Sequence, residues 1–135
     1  MILLDTVVLS ELRKAAPAPS VVKWLTDFRG DELFISVVSL GEIQRGIEKK
    51  RETDPAFAEL LTRWVEDLLR FYTDRILPVT PAISRCWGAL SARLGHDGAD
   101  LIIAATALTH GLQVATRNVR HFLPTGVEVI NPFGE

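Results

Sequence analysis

ADLIIAATALTHGLQVATRN, residues 99–118, decides how this chain folds. From Leu101 to Leu112 the residues are apolar or small on nearly every side: Ile102, Ile103, Ala104, Ala105, Ala107 and Leu108 leave almost no polar face. That pattern predicts a helix buried against a sheet, stopped by Gly111. Gln113–Ala115 then reads as a short buried strand that ends at Thr116-Arg117. A wholly apolar helix feeding straight into a buried strand is a unit of layered α/β architecture.

The same reading extends in both directions. Ile2–Leu4 ending at Asp5, Leu33–Ile35 after Gly30-Asp31-Glu32, Ile76–Val79 before Pro81 and Val127–Ile130 before Asn131-Pro132 are four more strand-like runs. Between them lie helical periods. Phe57, Leu60, Leu61, Trp64, Val65, Leu68, Leu69 and Tyr72 follow one helix face for four turns; Val21, Trp24, Leu25 and Phe28 mark a shorter helix, and Ile83, Trp87, Leu90 and Leu94 another that ends near Gly95. Short strands separated by helices predict a three-layer α/β/α domain with a mostly parallel, roughly five-stranded central sheet. With 135 residues, residues 1–135 are expected to form a single domain, which buries about two-thirds of the surface its unfolded chain exposes.

Composition narrows the function. The chain is 47% hydrophobic and 24% charged, with mean hydropathy +0.19, so a disordered chain is excluded. A single cysteine, Cys86, excludes an intramolecular disulfide, and Met1-Ile-Leu-Leu-Asp5 lacks the basic start and long apolar run of a secretory signal. The expected compartment is the cytoplasm, and no run reaches the ~20 apolar residues of a membrane span. Fifteen Lys and Arg against 17 Asp and Glu give a net charge of −2 and a pI near 5.9. This excludes a whole-surface electrostatic grip on nucleic acid and leaves only local basic patches. Lys49-Lys50-Arg51 reads first as a solvated helix end.

In parallel α/β sheets the working site lies at the carboxyl ends of the strands. Asp5 stands there, directly after the first strand, and Glu42 projects from the first turns of the helix that leaves the second; Asp100 opens the buried helix. Each has a structural alternative. Asp5 suits an N-cap, Glu42 completes a capping box with Ser39, and Asp100 complements the dipole of its helix. Three carboxylates converging on one sheet edge repel one another, however, and a hard divalent cation answers that repulsion: Mg²⁺ or Mn²⁺ takes oxygen ligands, acidifies bound water and stabilises charge on a phosphoryl oxygen. A zinc site through His96 and Asp100 is the competing metal reading, unsupported by any Cys cluster or second spaced His. Asp97 reads as an N-cap and His110 as a helix C-terminal cation. Thr116, Arg117, Asn118 and Arg120 also emerge at this edge, where the arginines either meet phosphate or stay solvated. No glycine-rich phosphate loop is present.

With these residues placed, the chain resembles the PIN-domain ribonuclease toxins of bacterial type II toxin–antitoxin modules, of the VapC and FitB type. ILLDTVVLSEL at 2–12, ELFISVVSLGEIQRGI at 32–47, ADLIIAATALTHGLQVATRN at 99–118 and TGVEVINPF at 125–133 carry the resemblance. It implies a metal-dependent endoribonuclease whose acidic triad around Mg²⁺ or Mn²⁺ is matched by Asp5, Glu42 and Asp100, with Thr6, Thr116, Arg117 and Asn118 as auxiliary or substrate-positioning residues. It also implies a homodimer, a cognate antitoxin seated in the active-site groove, an RNA substrate, and DNA contacted only through the antitoxin. Trp24, Phe28, Trp64 and Tyr72 are candidate interface residues, with ordinary core packing the expected place of most of them. Three positions depart from the family pattern: Val7 where Asn often follows the Asp-Thr pair, Asn118 where a fourth acid often stands, and His121 where an Asp often precedes Phe. Fewer carboxylates imply weaker metal affinity. The segment around Leu94–Gly98 is also shorter than is usual in the family. The alternative is a binding module that works through its partners without catalysis.

Overall fold

The apolar runs become the strands β1 (Ile2–Leu4), β2 (Leu33–Ser36), β3 (Ile76–Leu77), β4 (Gln113–Ala115) and β5 (Val129–Ile130) of a computed structural model, which describes residues 1–134. They form one sheet in the order β3-β2-β1-β4-β5, every neighbouring pair parallel. The central strand β1 is buried throughout because both faces are covered. Alternation along it divides the interior. Ile2 and Leu4 join one core cluster, and Leu3 joins the other.

The first cluster is closed by helices α1 (Thr6–Arg13), α2 (Pro19–Leu25), α3 (Val37–Thr53) and α4 (Pro55–Phe71), through residues such as Val8, Val21, Ile47 and Leu68. The second is closed by α5 (Pro81–Leu94), α6 (Ala99–His110) and α7 (Val119–Phe122), through Ile83, Ile103, Ala104 and Phe122. Helices therefore flank both faces of the sheet, as the three-layer reading requires. In α6, Leu101, Ile103, Ala104, Ala105 and Ala107 are fully buried; its small residues let the helix axis approach the strands closely.

Local chemistry shifts several boundaries. β3 stops at Leu77 because Pro78 has no N–H for the ladder. β5 begins only at Val129, since Val127 still donates its N–H to the Thr125 hydroxyl at 3.3 Å, just past the left-handed Gly126. Phe28 lies beyond the end of α2 but packs on Trp24, with ring centroids 5.0 Å apart. Two capping expectations are corrected. The N-cap of α3 is Ser36, whose hydroxyl accepts from the Val38 N–H at 3.0 Å, while Ser39 is a buried residue inside the helix; the N-cap of α6 is Gly98, not Asp97. Tyr72 is buried in the core, and the exposed large apolar residues of α4 are Leu60, Leu69 and Phe71.

Candidate active site

The strand order reverses at β1. The chain steps outward from β1 to β2 and β3, then returns to the other side through β4. Where strand order reverses, the connecting loops diverge and leave a crevice at the carboxyl ends. Asp5 caps α1 at this point, its Oδ1 accepting from the Thr6 N–H at 2.9 Å and its Oδ2 from the Thr116 hydroxyl, at the end of β4, at 2.8 Å. The Thr116 hydroxyl in turn accepts from the Asn118 N–H at 2.9 Å. Asp5 is both the cap its position suggested and the floor of the crevice.

Asp5 is 4% exposed. Burial pushes its carboxyl up to about 6; the Thr116 and Thr6 hydrogen bonds pull it back, and the charges of Asp100 and Glu42 add to the rise. The three acids singled out in the sequence thus share one electrostatic neighbourhood. Glu42 is held from α1. Thr6 Oγ1 lies 2.7 Å from Glu42 Oε1 and 2.8 Å from Ser39 Oγ. A hydroxyl has one proton, so with Glu42 ionised Thr6 donates to the carboxylate and the Ser39 O–H supplies the second contact. Asp100, on the first turn of α6, has its Oδ2 2.9 Å from His121 Nδ1.

Among the described residues, no three His, Cys, Asp or Glu side chains gather tightly enough to hold a metal ion by themselves. His96 and Asp100 therefore gain no third ligand and do not make a zinc site. The oxygen donors do suit a magnesium-like cation, which is held by one or two carboxylates and otherwise keeps its waters. Asp5 supplies the supporting observation: its carboxyl is raised chiefly by burial and further by the charges of Asp100 and Glu42, and a cation beside it offsets both.

A cavity lies on each side of the acids. One, of about 410 Å³, is bounded by Asp100, His96, Arg120 and His121; the other, of about 270 Å³, by Thr6, Glu42, Arg13, Lys50, Phe57 and Trp64. Arg117 turns elsewhere, its guanidinium 4.5 Å from the Phe133 ring centroid and its charge felt by Glu11. Asn118 is exposed and contributes its backbone N–H to Thr116.

The PIN domain family model matches residues 2–123. The chain belongs to the PIN domain family. It is 34% identical to the VapC ribonuclease Y4jK of Sinorhizobium fredii, over 98% of each chain. The crystal structure of FitAcB from Neisseria gonorrhoeae superposes with a TM-score of 0.86 at 30% identity, covering 100% of both chains. A structure of FitAB bound to an IR36 DNA fragment does so at 0.85 and 30%, covering all of this chain and 97% of that one. Two residues of this PIN domain's site escaped sequence reasoning. Ser39 was absorbed into a supposed cap, and His121 was noted only as a departure from an acidic position; the signal available for His121 was its place just after β4, at the same sheet edge as the acids.

Proposed function

We propose that this chain is the toxin of a type II toxin–antitoxin module, an endoribonuclease that hydrolyses RNA phosphodiester bonds with Mg²⁺ or Mn²⁺. Its relatives carry the names of ribonucleases and toxins, and a solved structure that it resembles at 25% identity is a toxin–antitoxin complex from Klebsiella pneumoniae. The observation that carries the reading is Asp5, buried at the β1–β4 crevice, its pKa raised by that burial and, to a smaller extent, by the charges of Asp100 and Glu42. Asp5 and Asp100 are the residues to hold the cation, with Glu42 completing the set or orienting water. When bound, the cation supplies an acidified water and stabilises charge on the scissile phosphoryl group.

The chain's own groups prepare that site. The Thr116 hydroxyl and Thr6 N–H fix the Asp5 carboxylate, while the Thr6 hydroxyl fixes Glu42. Oriented carboxylates need no rearrangement when the cation arrives. Residues 1–135 act as one domain in the cytoplasm, as a homodimer with a cognate antitoxin through which DNA is reached. No helix among the described residues is long and apolar enough to cross a membrane.

Calorimetric titration with Mn²⁺ and Mg²⁺, beside Asp100→Asn, followed by cleavage of a mixed RNA pool, tests the assignment. Metal binding lost in the variant, with metal-dependent cleavage by the parent, is the expected result. The second reading, a binding module without catalysis, is favoured by the absence of a ready three-ligand cluster among the described residues. Tight antitoxin binding without metal binding or cleavage establishes it instead.

A further inference from the structure

The larger cavity takes in Asp100 but neither Asp5 nor Glu42. It opens between the end of α5, the loop 95–98, the start of α6 and the α7 segment, with Leu94, His96, Asp100, Arg120, His121 and Pro124 around it. Its frame is built. Gly95, in the left-handed region at φ 78°, turns the chain out of α5; the Gly98 N–H lies 3.4 Å from His96 Nδ1, and Arg93 reaches the Pro124 carbonyl at 3.4 Å, tying α5 to the segment after α7.

Its chemistry is mixed in a particular way. Arg120 brings a permanent positive charge, His96 and His121 bring flat rings with nitrogen donors, and Leu94 and Pro124 bring apolar surface. His121 spends Nδ1 on Asp100, at 2.9 Å, which leaves Nε2 for the cavity it lines. Asp100 is the one carboxylate among the described residues that bound the cavity, so the space beyond it offers a cation no second acid. A lone carboxylate or phosphate is too small for about 410 Å³, a volume in the range of cavities that take small organic ligands. An anionic group joined to a flat heterocycle matches all of these features. Proteins that read single-stranded RNA stack its bases on aromatic, imidazole or guanidinium planes and neutralise its phosphates with arginine.

We propose that this cavity is a nucleotide subsite for single-stranded RNA, in which Arg120 meets a backbone phosphate and His96 and His121 flank one base beside the scissile bond. The proposal rests on the ribonuclease reading. Asp100 itself bounds the cavity and His121 is hydrogen-bonded to it, so a nucleotide here sits directly beside the acid assigned to the cation. The subsite makes Arg120 and His96 substrate-binding residues, and through His121 it couples the choice of nucleotide to the position of Asp100.

The probe is a single-stranded RNA hexanucleotide of mixed sequence, titrated with a chelator present, so that metal-dependent cleavage cannot proceed, into the metal-free protein by fluorescence anisotropy and by amide NMR. Shifts are expected at Gly98, Arg120 and His121. Arg120→Gln, an exposed position, weakens binding about fivefold. It also flattens the dependence of log K on log salt by about 0.7, the mark of one lost single-strand phosphate contact. His96→Ala weakens binding about fivefold without changing that slope. In cleavage assays Arg120→Gln raises KM and leaves kcat unchanged. Unchanged affinity in both variants, or shifts confined to the Arg13 and Lys50 cavity, overturns the subsite, while cleavage by the parent then leaves the nuclease reading standing. Absence of both binding and cleavage overturns the two together.

Discussion

Asp5 and Asp100, the two acids proposed to hold the cation, stand in opposite conditions. Asp5 is 4% exposed, and its two oxygens are fixed by a hydroxyl and an amide from two different segments. The Asp100 side chain is 29% exposed and its hydrogen bond goes to the exposed ring of His121. The first is rigid and strained by desolvation; the second is solvated and adjustable. In the proposed cation site the two complement each other, the rigid carboxylate setting the position and the adjustable one letting substrate and water exchange.

Breaking the rigid member gives the largest effect. Asp5→Asn is expected to lower metal-dependent RNA cleavage about a hundredfold or more, since it removes a ligand charge while keeping the shape. The same change stabilises the metal-free protein. Below about pH 4 Asp5 is protonated in the folded and the unfolded chain and costs nothing. Between about 4 and 6 the unfolded chain ionises while the folded one keeps its proton, so stability falls as pH rises; above about 6 the full cost of about 3 kcal/mol is present. Urea unfolding of parent and Asp5→Asn at pH 4 and pH 7.5 is therefore expected to show curves that diverge with rising pH, the variant more stable by about 2 kcal/mol at the upper value. Asp100→Asn loses cleavage as well, but at its solvated position its stability stays within about 0.5 kcal/mol of the parent at both pH values. Equal stability shifts in the two variants would show the comparison to be wrong.

Thr116→Val sharpens it by a smaller step. The isosteric change removes the donor to Asp5 and the acceptor of the Asn118 N–H. A loss of about 1–3 kcal/mol is expected, greater at pH 8 than at pH 5, because only the ionised carboxylate depends fully on the hydroxyl. Chemical denaturation at the two pH values measures it. The smallest effect falls on the adjustable side. His121→Asp sets a further acid against Asp100 and is expected to tighten Mn²⁺ roughly threefold to tenfold by calorimetry, with little change in folding stability.

The same contrast explains what could be read in advance. The buried runs Ile2–Leu4, Leu33–Ile35 and Gln113–Ala115 and the all-apolar α6 were legible because burial on both faces leaves a continuous apolar signature. The outer strands were read too long, since Pro78 and the Thr125–Val127 contact end the ladder by hydrogen-bond chemistry that hydrophobicity does not carry. Helical spacing leaves Tyr72 open between core and interface, because spacing alone does not say how far the stripe of α4 extends inward; its burial places it in the core. The acids were found by their position at strand ends. Their partners were not: the Thr116–Asp5 bond spans 111 residues and the Thr6–Glu42 bond 36, and no local pattern marks such pairs.

By itself, then, the order of residues determined the layered α/β architecture and the edge at which Asp5, Glu42 and Asp100 emerge, because periodicity and strand-end position are local properties of the chain. Only the tertiary structure decided which hydroxyl orients which acid, that Ser39 and His121 join the site, and that Asp5 carries a pKa near 6. Hydrogen-bond partners and desolvation depend on which distant segments close over a side chain, and that is settled when the sheet reverses its order at β1 and brings β4 beside it.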